Sequence, residues 1–320
     1  MRKTAKIWLV IAASLVFVGL IMFAAVMSEY KWDFSKLSTG KYETNTYEIS
    51  EEFSNLSMNT DTADIIFALS DDGKCRVECY EEEKAKHSVA VQENTLVIKM
   101  IDEKSWYDYI GINFGSPKIT VYLPKAEYTS LFINGSTGDI EIPKNFKFEG
   151  VDISLSTGDV NFFASASKLI IIKTSTGNIC VENTSAGTLD LSASTGRITV
   201  SNVICGGDAN INVSTGRTNL NNIECKNLTS SGDTGNISLN NVIAAEKFSI
   251  KRNTGDVRFD GSDAAEILVE TDTGDVTGTF LSEKTFFVET DTGSVDVPES
   301  ITGGRCEITT NTGDIELDIQ

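Results

Sequence analysis

Histidine is almost missing from this 320-residue chain, which has only His87. A Ser-His-Asp or Cys-His catalytic machine could be built only around that residue, and metal sites with several His ligands are excluded. Basic residues are also scarce. Lys and Arg number 27 against 46 Asp and Glu, for a net charge of −19. Arg2, Lys3 and Lys6 hold three of the positive charges at the N-terminus, and setting them aside leaves −22 on the rest. That sign repels nucleic acid phosphates and anionic lipid, so nucleic acid is not an expected partner. Forty per cent apolar residues, with 16 Phe and 8 Tyr, nevertheless suffice for a sizeable core.

Residues 7–27 carry no charge, and such a helix spans roughly 30 Å, the thickness of bilayer hydrocarbon. Arg2, Lys3 and Lys6 precede the run while Glu29 and Asp33 follow it, so the positive-inside rule places the first residues in the cytoplasm and the body outside. The run exceeds the apolar stretch of a usual cleaved signal peptide, and a retained anchor is expected. The expected organisation is a cytoplasmic N-terminus (1–6), a transmembrane helix (7–27), a linker (28–43), an N-terminal cap with irregular first coils (44–124), and regular repeats (125–320).

Six cysteines in an exported chain raise the question of disulfides. Cys75 and Cys79 stand four apart, about 13 Å on an extended strand and beyond bridging distance. Cys205 and Cys225 occupy matching places in successive repeats and could come within reach, and Cys306 falls at a core position. Most of the six are expected to be buried thiols acting as small hydrophobes.

The repeat is a Thr-Gly pair at Gly138, Gly158, Gly177, Gly196, Gly216, Gly235, Gly255, Gly274, Gly293 and Gly313, spaced by 19 or 20 residues. Ser, Asp or Asn precedes each pair, and such a residue can hydrogen-bond nearby backbone N–H groups while Gly tolerates positive φ, so each repeat turns there. The flanks alternate with period two. Ile133, Ile153, Ile172, Leu191 and Ile211 stand five before their glycines, and Ile140, Val160, Ile179 and Ile198 stand two after theirs. Each unit therefore reads strand, tight turn, strand, looser turn, with one apolar face that only stacked copies can bury. The expected fold is all-β, a two-sided parallel β-solenoid of two-strand coils behind one transmembrane helix. Helical crossovers have no room in a repeat this short. Ser230 and Gly278 depart from the pattern at core positions.

Upstream, Thr62-Ala63-Asp64-Ile65 stands as a degenerate first turn, and strands around 95–100 and 118–124 flank an aromatic loop, 105–115. This region should cover the N-terminal end, whereas no cap follows the last strand, 316–320, and the C-terminal edge is expected to be open to self-association. The membrane segment, Thr62-Ala63-Asp64-Ile65-Ile66, Thr95-Leu96-Val97-Ile98, the strand at 119–124 and the serial Thr-Gly-Asp turns together resemble the bacterial "putative adhesin" domain-of-unknown-function family of membrane-anchored β-solenoid envelope proteins. The resemblance spans about 44–320. It implies an exported solenoid linked by name to adhesion and, for some similar proteins, to envelope-stress systems. It supplies no catalytic residues.

Directly after the turn glycine stand Asp139, Asp159, Asn178, Asn236, Asp256, Asp275 and Asp314. Stacked carboxylates could bind Ca²⁺, or each could accept turn N–H bonds and stay solvated. Arg197 and Arg217 interrupt the row in neighbouring repeats, where they could clamp a carboxylate or phosphate on a wall polymer or relieve surrounding negative charge. Trp106, Tyr107, Tyr109 and Phe114 could stack on sugar or touch membrane, or plug the first coil. His87 follows the charged run 81–86 and reads as part of a solvated loop without a role. No catalytic, cofactor-binding or metal-ligating residue is assigned. The leading expectation is a non-enzymatic, membrane-tethered extracytoplasmic scaffold or adhesin-like protein that binds an envelope protein or polysaccharide. The alternatives are a carbohydrate-acting β-helix enzyme, which would need clustered acids and a positioned base in a groove, and a calcium-dependent structural protein.

Overall fold

The computed structural model describes residues 3–33, 40–109 and 115–320. The helix α1 (Lys3–Glu29) comes first, and its apolar side chains from Ile7 to Val26 are exposed. The described residues from 40 onward belong to one parallel β-solenoid of about ten turns with an antiparallel cap.

The repeat glycines lie where expected, with φ between +131° and +155°. Side chains rarely adopt that conformation, and space reinforces the restriction. A Cβ on Gly216 would collide with the carbonyl of Gly196 in the neighbouring coil. Glycine is what lets adjacent turns stack at strand spacing. The flanking strands run in parallel register from coil to coil: Ile153 pairs with Ile133 and Ile172, and Leu191 pairs with Ile172 and Ile211. Those side chains form one continuous core.

The looser turn proves to be built. Asn183, Asn202, Asn222 and Asn241 have φ between +50° and +55°, and Gly261 follows in the next coil at +55°. The last three amides each donate to the equivalent amide oxygen of the preceding coil: Asn202 Nδ2 to Asn183 Oδ1 at 3.0 Å, Asn222 to Asn202 at 2.9 Å, and Asn241 to Asn222 at 3.0 Å. Alternation slips there, with Glu182 and Asn183 both turned outward before Thr184 points in. The inter-coil ladder resumes beyond it, from Thr184 and Val203 to Ala186 and Cys205. Asn tolerates this left-handed conformation better than other side chains, and the stacked amides satisfy one another.

Coils are out of sequence order at both ends. At the N-terminus, β2 (Asn55–Thr62) and β3 (Asp64–Leu69) lie between β8 (Glu127–Thr137) with β9 (Ile140–Ile142) and the later β6 (Thr95–Asp102) with β7 (Lys118–Leu123). Antiparallel strands β1 (Tyr42–Ile49), β4 (Cys75–Glu82) and β5 (Ala85–Gln92) then cover that end. At the other end, the final coil, Gly304–Thr312 and Ile315–Ile319, inserts between Val257–Thr273 with Val276–Phe280 and the preceding coil, Lys284–Thr292 with Val295–Asp296. The exposed C-terminal edge is therefore made by residues 284–296. The last strand, expected to be that edge, has a parallel partner on each side.

Both departures noted in the sequence have causes. Gly278 has φ +132°, and a Cβ there would collide with the Phe259 carbonyl. The close approach lets Phe280 join an aromatic column with Phe248, Phe259 and Phe286, whose successive centroids are 6.2, 4.9 and 6.4 Å apart. Ser230 serves a buried arginine, Arg252. All six cysteines are free thiols, five of them buried.

Candidate functional site

The acid and amide row forms a ladder along one corner of the solenoid. Asp64 Oδ1 accepts the Asp139 backbone N–H at 2.9 Å, Asp139 accepts that of Asp159 at 2.8 Å, and Asp159 that of Asn178 at 2.7 Å. Asn178 Oδ1 then accepts Arg197 N–H at 3.0 Å. The series pauses at Arg197 and Arg217, which have no side-chain acceptor, and resumes from Asn236 through Asp256, Asp275 and Asp314 to Ser294. These bonds run between coils rather than within one turn. Ser294 holds the Asp314 carboxyl below its ordinary range through its N–H and its hydroxyl. One side-chain oxygen per rung, carboxylate or amide, is thus engaged with backbone, a scaffolding arrangement.

Arg197 and Arg217 are exposed and adjacent, with the Ile198 N–H bonded to the Arg217 carbonyl at 3.0 Å. Among the described residues neither guanidinium forms an ion pair. Trp106 and Tyr107 lie in a short 3₁₀ turn, Trp106–Tyr109, and are 76% and 56% exposed, which overturns their reading as a plug for the first coil. The two rings meet edge to face at 6.0 Å, and Lys84 Nζ stands 5.7 Å above the Tyr107 ring. Leu96, Ile98, Ile119 and Val121 fill the end coil instead. Tyr109 closes that turn, and Phe114 lies outside the described residues. The structure does not bring the arginines and aromatics together. Arg197 and Arg217 are five and six strands from β7 along the stack, roughly 25–30 Å at ordinary strand spacing.

His87 is a correction. It lies on β5, 3% exposed, because the run 81–86 folds as a tight hairpin between β4 and β5 rather than as a loop. Along β4 the inward positions are Cys75, Val77, Cys79 and then Glu81, whose carboxylate is fully buried. Glu81 Oε2 accepts the His87 backbone N–H at 2.6 Å and lies 2.7 Å from His87 Nδ1, while Oε1 accepts from Asn45 Nδ2 at 2.8 Å. Tyr47 OH donates to the His87 carbonyl at 2.8 Å. Cys79 Sγ, a Glu81 oxygen and an imidazole nitrogen all lie within 4.8 Å of one another, and His87 Nε2 has no hydrogen-bond partner. Burial and the nearby Glu81 charge push the Cys79 thiol up to about 12. Sequence reading missed this group because it forms once, across antiparallel strands, and its only signal was Glu81 falling on the inward phase of β4.

Beside this cap is a cavity of about 680 Å³, with Ile49, Phe53, Cys75 and Tyr128 among its apolar lining and Glu51, Lys74 and Arg76 among its charged lining. Phe53 and Tyr128 stack at 6.1 Å.

A parallel β-solenoid with glycine-cornered coils, preceded by one apolar helix among the described residues, defines the class of protein. Within it, the chain belongs to the Toastrack DUF4097 family, whose model matches residues 53–212 and again 206–320. Among solved structures, a "Putative lipid binding protein" from Parabacteroides distasonis ATCC 8503 is similar at 18% identity, with 75% of this chain and 95% of that chain covered and a TM-score of 0.49. A "putative adhesin" from Parabacteroides merdae ATCC 43184 is similar at 12% identity, covering 88% and 98%, with a TM-score of 0.48. A "putative cell adhesion protein" from Clostridium sporogenes ATCC 15579 shows 9% identity over 88% and 100%, with a TM-score of 0.25. No curated protein matches the chain.

Proposed function

We propose that this protein is a non-enzymatic, membrane-tethered scaffold whose solenoid lies outside the cytoplasm and binds another envelope component, protein or polysaccharide, in the manner of an adhesin. The observation that carries this reading is the contrast between two apolar surfaces. The solenoid encloses its own core, whereas α1 leaves a full bilayer length of apolar side chains exposed, as a membrane anchor requires. Basic residues before the helix and acidic ones after it favour a cytoplasmic N-terminus. The carboxylates that a carbohydrate-cleaving or calcium-dependent role would need are spaced evenly and bonded to backbone, which favours scaffolding over either role. Envelope-stress sensing is a refinement of the same reading, in which a bound component would be reported through α1.

Protease treatment of intact cells, followed by blotting for both ends of the chain, tests the placement. Loss of the C-terminal body from intact cells is expected, with the N-terminus protected. Digestion that requires membrane rupture would overturn it. Crosslinking and affinity capture from intact envelopes then tests binding: a recurrent surface component supports adhesion, and a recurrent membrane regulator supports stress sensing.

A further inference from the structure

Cys79, Glu81 and His87 combine a thiol, a carboxylate and an imidazole at ligand spacing in the closed interior of the cap. A purely structural role accounts for Glu81, which fixes the β4–β5 hairpin through the His87 N–H, and Asn45 ties it to β1. It does not account for the buried Cys79 thiol, whose sulfur lies within 4.8 Å of both a Glu81 carboxylate oxygen and an imidazole nitrogen of His87. We propose that these three side chains form a binding site for one divalent transition-metal ion of the Zn²⁺ class. Sulfur, nitrogen and oxygen donors in a set of three suit tetrahedral Zn²⁺, with a water completing the fourth position. The ion would release the Cys79 thiol proton to solvent and bind the thiolate. The 2.7 Å contact between Glu81 and His87 is hydrogen-bond length, so the two groups would separate by about half an ångström if both ligate. With all three side chains closed off from solvent, the ion would enter as the cap folds. The site does not depend on the binding role proposed above.

The test uses the full chain in detergent micelles, refolded with Zn²⁺ or Co²⁺ and then washed with a weak chelator. About one equivalent of zinc should remain per chain, and the Co²⁺ form should show thiolate-to-metal charge-transfer absorption. Cys79→Ala and His87→Asn should each lower retention about ten-fold or more, while Asp159→Asn in the outer ladder leaves it unchanged. The cobalt spectrum of the unaltered chain decides the matter if either variant fails to fold. Failure of the folded protein to retain metal, or retention lost only on altering the ladder, overturns the proposal.

Discussion

Arg252 lies inside the solenoid with its Nη2 donating to Ser230 Oγ at 2.8 Å, and the residue that seemed a flaw in the repeat is its acceptor. Thr218, a second polar residue at an otherwise apolar position, accepts from the same nitrogen at 3.2 Å, and a Cβ on Gly232 would collide with Nη1. The two polar residues at otherwise apolar positions thus have one cause. Arg252 is 2% exposed, its Nε and Nη1 have no partner, and burial lowers its pKa to about 10. Ser230→Ile alone should cost about 2–4 kcal/mol, because it strands the guanidinium. Adding Arg252→Thr and Thr218→Ile to it should restore or exceed the original stability, as when a buried charge is replaced by fitted apolar groups. Chemical denaturation of the single and triple variants checks both. A triple variant no more stable than Ser230→Ile alone would show that the cluster was misread.

Ile211 is 1% exposed and stands between Leu191 and Ser230 in the neighbouring coils. Ile211→Asp should destabilise the solenoid by roughly 3–5 kcal/mol, since a carboxylate would enter the core unpaired. A melting curve that does not move would contradict the inward assignment.

The turn glycines should differ sharply from other glycines. Gly216→Ala meets both positive φ and the Gly196 carbonyl, and about 3 kcal/mol or more should be lost. Gly150→Ala has open space at its Cβ and should stay within about 1 kcal/mol of the parent. Equal losses at the two sites would exclude inter-coil approach as the reason for the Thr-Gly repeat.

The buried thiols should weaken the fold at alkaline pH. In the metal-free protein, burial is the main cause that raises Cys75, Cys79, Cys225 and Cys306 from 9.0 to about 12. A thiol with a raised native pKa holds its proton longer when folded, so its contribution is complete below pH 9 and is lost as pH rises through 12. Arg252 acts with the opposite sign: its native pKa is lowered, so its cost is present below pH 10 and is relieved above it. Four thiols outweigh one guanidinium, and the melting temperature should fall between pH 9 and 12. Replacing the four cysteines with alanine should flatten that limb; an unchanged slope would remove the thiols as its cause.

The two chain ends were the least legible part of the sequence. The glycine spacing runs on at 19 and 20 residues through Gly274, Gly293 and Gly313, so nothing in it shows that Gly313 stacks directly on Gly274 and leaves Gly293 outside. The turns and core were readable because the same restrictions on φ and burial recur in every coil. The asparagine ladder was equally periodic, six residues after each glycine from Gly177 to Gly235, and passed only as a looser turn. Contacts formed once, such as Glu81 with His87, left no period to find. Residues 303–320 fill an interior slot, and deleting them should uncouple 284–296 as well. The mutant should therefore lose the strand signal of two coils by circular dichroism, whereas loss of one coil would mean that the end coils follow sequence order.

Distances between paired spin labels test the stacking of coils most directly. Asn134, Ser154, Lys173, Ser192, Asn212, Ser231 and Lys251 occupy one register row, one per coil. From a label at Asn134, distances to labels at Asn212, Ser231 and Lys251 should rise evenly by about 4.8 Å per coil. In the same row Glu289 lies one coil beyond Thr309, so the 134–289 distance should exceed the 134–309 distance by a similar step. Distances that do not increase along the row, or a Thr309 label farther out than Glu289, would contradict the parallel solenoid with exchanged end coils.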